Sequence, residues 1–331
     1  MKWADMHMDN QKILEVKNLQ TSFFTKKGEV KAVDGVSFSI GKGEIVGLVG
    51  ESGSGKSITS LSIMQLVPQP AGKIMSGQIL FKNQDLLKKT PEQMRQLRGD
   101  RISMILQDPM VAMNQLLTVG KQLGEPLRFH NKNMGSLREM CIKLLRRVNV
   151  PAPETRVDDY PFQFSGGMSQ RALIAMGIAN DPDLLIADEP TTALDVTIAA
   201  QVLKLMKEIQ RETGASIILI THDLATVAQI CSRVLVMYAG RIVESAPIKT
   251  FFRRPAHPYS VGLIQSVPVL GRPVDRLFSI KGQPPNLFDM PKGCRFYPRC
   301  EKAEKRCQNN YPPETWLDTD HSVACWLYGG K

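Results

Sequence analysis

The chain has 331 residues, 43% hydrophobic and 22% charged, with 42 Lys and Arg against 32 Asp and Glu for a net charge of +10. That length exceeds one ordinary domain, and the composition excludes a stapled mini-protein, wholesale disorder, collagen and coiled coil. With no apolar run near the roughly 18 residues of a membrane helix and no apolar centre of a signal peptide at its start, a soluble cytoplasmic fold is expected. The positive charge by itself leaves nucleic acid, an anionic membrane face and a phosphate substrate open.

From Ile13 to about Ile248, β-rich runs alternate with helical stretches. Residues 31–40, 44–49, 102–106, 184–187, 217–221 and 234–237 read as strands, the pattern of an α/β core with a largely parallel sheet. Between Pro109 and Phe164 the strand signals give way to helical spacing, as in Leu137, Cys141, Leu144, Leu145 and Val148. A helical insertion is expected there.

Directly after the strand at 44–49 comes Gly50-Glu51-Ser52-Gly53-Ser54-Gly55-Lys56-Ser57, which fits G-x4-G-K-[ST] and opens a helical run. The glycines let backbone N–H groups close around phosphates, and the helix presents its positive end. Lys56 can reach the outer phosphates, and the Ser57 hydroxyl can ligate Mg²⁺. The run Leu184-Leu185-Ile186-Ala187-Asp188-Glu189 is an apolar strand ending in two acids. Asp188 is placed to hold Mg²⁺ through water and Glu189 to polarise an attacking water. In Phe164-Ser165-Gly166-Gly167-Met168-Ser169-Gln170-Arg171, Ser165 can cap a helix whose bare glycine N–H groups form a second anion site. Two phosphate sites on one chain imply pairing.

Beyond Phe251, prolines at 255, 258, 268, 273, 284, 285 and 291 predict a loop-rich appendage. Such a segment gains from a metal centre, because alone it buries little apolar surface. Cys141 and Cys231 read as packed thiols, whereas Cys294, Cys300, Cys307 and Cys325 crowd the chain's end as C-x5-C-x6-C-x17-C. The absence of a C-x2-C knuckle favours an iron–sulfur centre over zinc on spacing, with zinc and four unconnected thiols as alternatives. His321 reads as a surface histidine.

Six elements stand in a telling order: the phosphate loop, Gln107 after a strand, Ser165-Gly166-Gly167, the acidic strand end, Ala193-Leu194-Asp195, and His222 after the strand at 217–221. In this the chain, over roughly residues 13 to 250, resembles ABC-type ATPases. The resemblance implies a P-loop NTPase fold of ABC type, a RecA-like core with an antiparallel β subdomain, using ATP and Mg²⁺. It implies that Phe23 stacks on adenine, with neighbouring Phe24 as the competing choice, and that residues 50–57 and Ile58 bind nucleotide. Ser57, Gln107 and Asp188 would serve Mg²⁺, Glu189 and Gln107 the attacking water, and His222 the γ-phosphate. Ser165, Gly166, Gly167 and Met168 would grip nucleotide held by the opposite subunit. Phe164 and Met168 depart from the commonest Leu-Ser-Gly-Gly-Gln signature, but the serine and both glycines remain.

The tail, with His257-Pro258-Tyr259, Gly282-Gln283-Pro284-Pro285 and the cysteine array, resembles the C-terminal extension of dipeptide and oligopeptide permease ATPases. That likeness implies an ATPase core at 1–108 and 165–255, a helical subdomain at 109–164 and an extension at 256–331 carrying a [4Fe-4S] cluster. It further implies a peripheral subunit on the cytoplasmic face of the inner membrane that powers peptide uptake. Its partners would be a second, paralogous ATPase, two transmembrane permease subunits and an extracytoplasmic peptide-binding protein, with no nucleic acid. The competing readings are an importer of nickel or another small solute, and a soluble ABC ATPase acting on nucleic acid.

Overall fold

The computed structural model describes residues 12–130, 135–192, 194–267 and 278–329, so Ala193, Pro268 and Pro273 lie outside the described residues. Its strands are β1 (Lys12–Thr25), β2 (Gly28–Gly41), β3 (Ile45–Val49), β4 (Gly72–Phe81), β5 (Gln84–Asp85), β6 (Ile102–Ile105), β7 (Leu184–Asp188), β8 (Ser216–Thr221), β9 (Arg233–Tyr238), β10 (Arg241–Pro247), β11 (Thr315–Asp318) and β12 (His321–Val323). One sheet is antiparallel, ordered β2-β1-β4-β5; the other has eight strands, ordered β11-β12-β10-β9-β3-β8-β7-β6. Within the larger sheet β9, β3, β8, β7 and β6 run parallel, and β10 joins β9 antiparallel.

The parallel strands are apolar throughout because both faces are covered. Successive side chains point to opposite faces. Thus Ile217 and Leu219 of β8 pack with the helices on one side, while Ile218 and Ile220 pack with Val46, Leu48 and the antiparallel sheet on the other. Truncating such a residue to Ala costs about 2–5 kcal/mol.

β1, β4, β5, β10, β11 and β12 escape the sequence reading, and for three of them the physical reason is plain. β1 carries bulges between Val16 and Leu19 and between Thr21 and Ser22, which break its period of two. β4 is largely solvent-facing, with Met75 half exposed. β10 has a charged residue at its centre, Glu244, which is nevertheless buried.

Between 109 and 163 the described residues are helical or irregular, with helices Pro109–Ala112, Val119–His130, Leu137–Arg147 and Pro153–Arg156. Cys141, Leu145 and Val148 are buried there, at the spacing of one helix face. Asp195 caps the helix Val196–Thr213, its carboxylate accepting the N–H groups of Thr197 and Ile198 at 3.0 Å each.

The C-terminal segment is loop-rich, as its prolines predict. β12 nevertheless pairs with β10 and β11 with β12, so the extension also completes the edge of the core sheet. The His321 expectation is corrected. Its ring is buried in β12, with Nε2 3.0 Å from Oε1 of the equally buried Glu244. That carboxylate accepts the N–H groups of Ala256 and His257 as well, at 2.9 and 2.7 Å. A buried acid with three donors meets the requirement that buried polar groups be paired.

Candidate active site

The phosphate loop follows the buried strand β3, which lies between β8 and β9 in the middle of the larger sheet. Its last glycine, Gly55, has φ +104°, and a Cβ there would fall 2.4 Å from the Ala32 carbonyl oxygen. Only glycine fits both demands. The helix Lys56–Ile63 then starts without a side-chain cap, leaving its first N–H groups for an anion. Lys56 is buried and folds across the loop, its Nζ donating to the carbonyls of Gly50 (2.8 Å) and Glu51 (3.0 Å). Burial lowers its pKa, opposed by the nearby carboxylates of Glu189, Asp188 and Glu51. Ser52, Gly53 and Ser57 are exposed, while Ser54 is buried and its carbonyl accepts the Gly240 N–H at 2.8 Å. The Ile58 side chain packs into the core below the loop, so only its backbone is available to a nucleotide.

At the end of β7, Asp188 lies close enough to Ser57 for the serine hydroxyl to favour its ionised form, which brings the two expected cation-binding residues together. Burial is the main force raising its pKa; the Ser57 hydroxyl opposes this and the Glu189 charge adds to it. Its Oδ1 is buried with no hydrogen-bond partner. An orphaned, desolvated carboxylate oxygen beside a serine hydroxyl suits a hard divalent cation such as Mg²⁺.

Glu189 takes a left-handed backbone at φ 47°, a conformation unfavourable for this residue type. Its carboxylate receives three donors. Gln107 Nε2 and Thr192 Oγ1 donate to Oε2 at 2.9 and 2.8 Å, and His222 Nδ1 lies 3.0 Å from Oε1. Burial pushes the Glu189 pKa up, but the bonds from His222 and Thr192 outweigh it and hold the acid below its usual range. Sequence reasoning had named Gln107 and His222 and missed Thr192, although it stands only three residues beyond the acid.

Ser165 caps the helix Gly166–Gly177 through a 3.4 Å bond from the Met168 N–H, and Ser165 and Gly166 are exposed. Among the described residues no hydrogen bond or ion pair joins Ser165, Gly166, Gly167 or Met168 to residues 50–57. The two anion sites of one chain thus stay apart. Phe23 and Phe24 lie on β1, Phe23 half-buried against Gly72 and Phe24 exposed with Lys73 over its ring at 5.8 Å.

Cys294, Cys300, Cys307 and Cys325 line one pocket, walled also by His257, Phe296 and Trp326. The Glu304 N–H donates to Cys307 Sγ at 3.5 Å. Burial pushes the Cys294 and Cys325 thiols up to about 11 and raises Cys300 as well. Among the described residues, no three or more His, Cys, Asp or Glu side chains are grouped so as to hold a metal ion.

A family model described as ABC transporter matches residues 33–192, and one described as the C-terminal region of oligopeptide/dipeptide transporters matches residues 243–307. The dipeptide transport ATP-binding protein DppD of Bacillus subtilis (strain 168) is 52% identical, over 96% of this chain and 95% of that protein. The oligopeptide transport ATP-binding protein AppD of the same organism is 49% identical, over 96% and 97%. Among solved structures, the dimeric ATP-binding cassette MJ0796 in a post-hydrolysis state bound to ADP and Pi shares 26% identity at a TM-score of 0.64, covering 71% of this chain and 98% of that one. Motifs, fold and whole-length similarity agree, and the chain belongs to the family of ATP-binding subunits of dipeptide and oligopeptide ABC transporters.

Proposed function

We propose that this chain hydrolyses ATP to power the uptake of di- and oligopeptides through a membrane transporter, working as a peripheral subunit on the cytoplasmic face. The observation that carries the ATPase half is the Glu189 carboxylate, hydrogen-bonded by Gln107, Thr192 and His222. The substrate half rests on similarity to peptide transport ATPases that extends through the C-terminal region.

In this mechanism the loop N–H groups and Lys56 bind the triphosphate, and Ser57 and Asp188 hold Mg²⁺, which when bound neutralises charge on the outer phosphates. Glu189 orients and polarises the attacking water, with its geometry kept by Gln107 and Thr192. His222, 61% exposed, is free to turn toward the γ-phosphate. Ser165, Gly166, Gly167 and Met168 complete the site of a second, paralogous ATPase, a reading supported by the exposure of Ser165 and Gly166 and by the dimeric form of the MJ0796 cassette. Phe23 is the choice for adenine.

The division into a core at 1–108 and 165–255, a helical subdomain at 109–164 and an extension from 256 is part of the same proposal. No helix among the described residues is long and apolar enough to cross a membrane. Two transmembrane permease subunits and an extracytoplasmic peptide-binding protein would therefore supply the path. Met110, Val111 and Leu116, exposed at the start of the helical segment, offer an apolar docking face for the permeases, with Val111 82% and Leu116 85% exposed.

The four cysteines would hold a [4Fe-4S] cluster. What supports this reading is that all four cysteines line one pocket and that their spacing lacks the C-x2-C knuckle usual for zinc. The Glu304 N–H donating to Cys307 Sγ would stabilise a thiolate there, and a bound cluster would supply the positive charge that buried thiols lack. Glu189→Gln tests the core of the proposal: ATP binding should persist while turnover falls by at least about 100-fold. Undiminished turnover would reject it.

A further inference from the structure

The side chain of Glu51, second residue of the phosphate loop, is gripped from a distant part of the chain. Arg299 donates Nη1 to Glu51 Oε2 at 2.8 Å and Nη2 to Oε1 at 3.1 Å, a two-pronged pair. The guanidinium is 5% exposed and also bonds the Tyr238 hydroxyl at 3.3 Å and the Lys281 carbonyl at 3.0 Å. The backbone N–H of Glu51 donates to the Tyr259 hydroxyl at 2.8 Å. Both ends of one loop residue are thereby fixed by residues 208 and 248 positions away.

The electrostatics give this contact a consequence for nucleotide. Glu51 stands near enough to Lys56 to act on its charge. Left unpaired, its carboxylate would compete with phosphate for Lys56 and repel an incoming triphosphate. Arg299 pairs with that carboxylate and neutralises it. The neighbouring Arg295 works beside it, donating to the Ala239 carbonyl next to Gly240, whose N–H holds the Ser54 carbonyl of the same loop. Cys294 and Cys300 bracket both arginines.

We propose that Arg299 and Tyr259 are positioning residues for ATP binding: the C-terminal extension clamps Glu51 and so sets the affinity of the phosphate loop for nucleotide. This rests on the ATP-hydrolysing reading above, and the wild-type protein separates the two failures.

The test uses the full-length chain in its assembled transporter, with R299Q, R299K, E51Q, the double variant E51Q/R299Q and Y259F. Thermal unfolding reports the folded state. R299Q should raise KM for ATP about tenfold with kcat within about twofold, the split expected when a ground-state binding arrangement is lost. R299K keeps a charge but not the fork and should fall between. E51Q/R299Q should recover much of the KM lost in R299Q, because the unpaired carboxylate is gone; a merely structural arginine would show no such rescue. Y259F should raise KM without changing kcat. An R299Q protein that unfolds at the wild-type temperature with unchanged KM would overturn the clamp. So would a double variant no better than R299Q. If R299Q does not fold, R299K and Y259F decide by the same criterion. Absence of ATP hydrolysis by the wild-type transporter would overturn the ATPase reading and the clamp together.

Discussion

His222 Nδ1 and Glu189 Oε1 lie 3.0 Å apart, joining the turn after β8 to the end of β7 across two neighbouring parallel strands. This bond favours the ionised form of the acid. A group whose folded pKa is lowered keeps its ionised role until the pH falls through that lowered value. His222→Ala removes the donor, so the Glu189 pKa should rise and the acid limb of the kcat profile should move to higher pH. Turnover measured from pH 4 to 8 on both proteins reads this directly. An unmoved limb would show that His222 does not tune the acid.

The exposed pair Val111 and Leu116 predicts a separation of assembly from nucleotide binding. Val111→Asp with Leu116→Asp should reduce co-purification with the permease subunits severalfold while leaving ATP affinity within about twofold, because surface changes of this kind cost within about 0.5 kcal/mol of stability. Intact assembly would show that another face docks.

The buried Glu244–His321 pair ties β10 to β12. His321→Leu should destabilise the protein by about 3 kcal/mol, since removing one partner of a buried pair leaves the other uncompensated. Denaturant unfolding checks this. A change under about 0.5 kcal/mol, the usual size for a surface position, would return His321 to the role its sequence suggested.

For the cysteine pocket the expected chemistry is visible light absorption, with iron and acid-labile sulfide in equal amounts in anaerobically purified protein. Cys300→Ser should abolish the absorbance and lower the unfolding temperature. Zinc in place of iron, or no bound metal, would refute the cluster.

How much was readable in advance depended on sequence distance. The phosphate loop is contiguous, and its glycines are dictated by local backbone geometry, so Gly50 to Ser57 could be named from spacing alone. Asp188 and Glu189 stand at the end of an apolar run that only a doubly covered strand explains. Thr192 could have been found, because it follows the acid by one turn of chain. Arg299 and Tyr259 could not, since no local pattern reveals a contact across 248 or 208 positions. The prolines of the extension report its local irregularity correctly, but they carry no sign that β12 pairs with β10, a strand that lies outside it. His321 looked like a surface residue because its partner Glu244 is 77 positions away.

The most direct measurement of the central claim is uptake of a radiolabelled dipeptide into proteoliposomes holding the assembled transporter and its peptide-binding protein, with ATP and Mg²⁺ on the side carrying this chain. Wild-type protein should accumulate peptide only when ATP is present, and Glu189→Gln should reduce uptake to the ATP-free level. ATP-independent accumulation, or full uptake by the Glu189→Gln protein, would contradict the account.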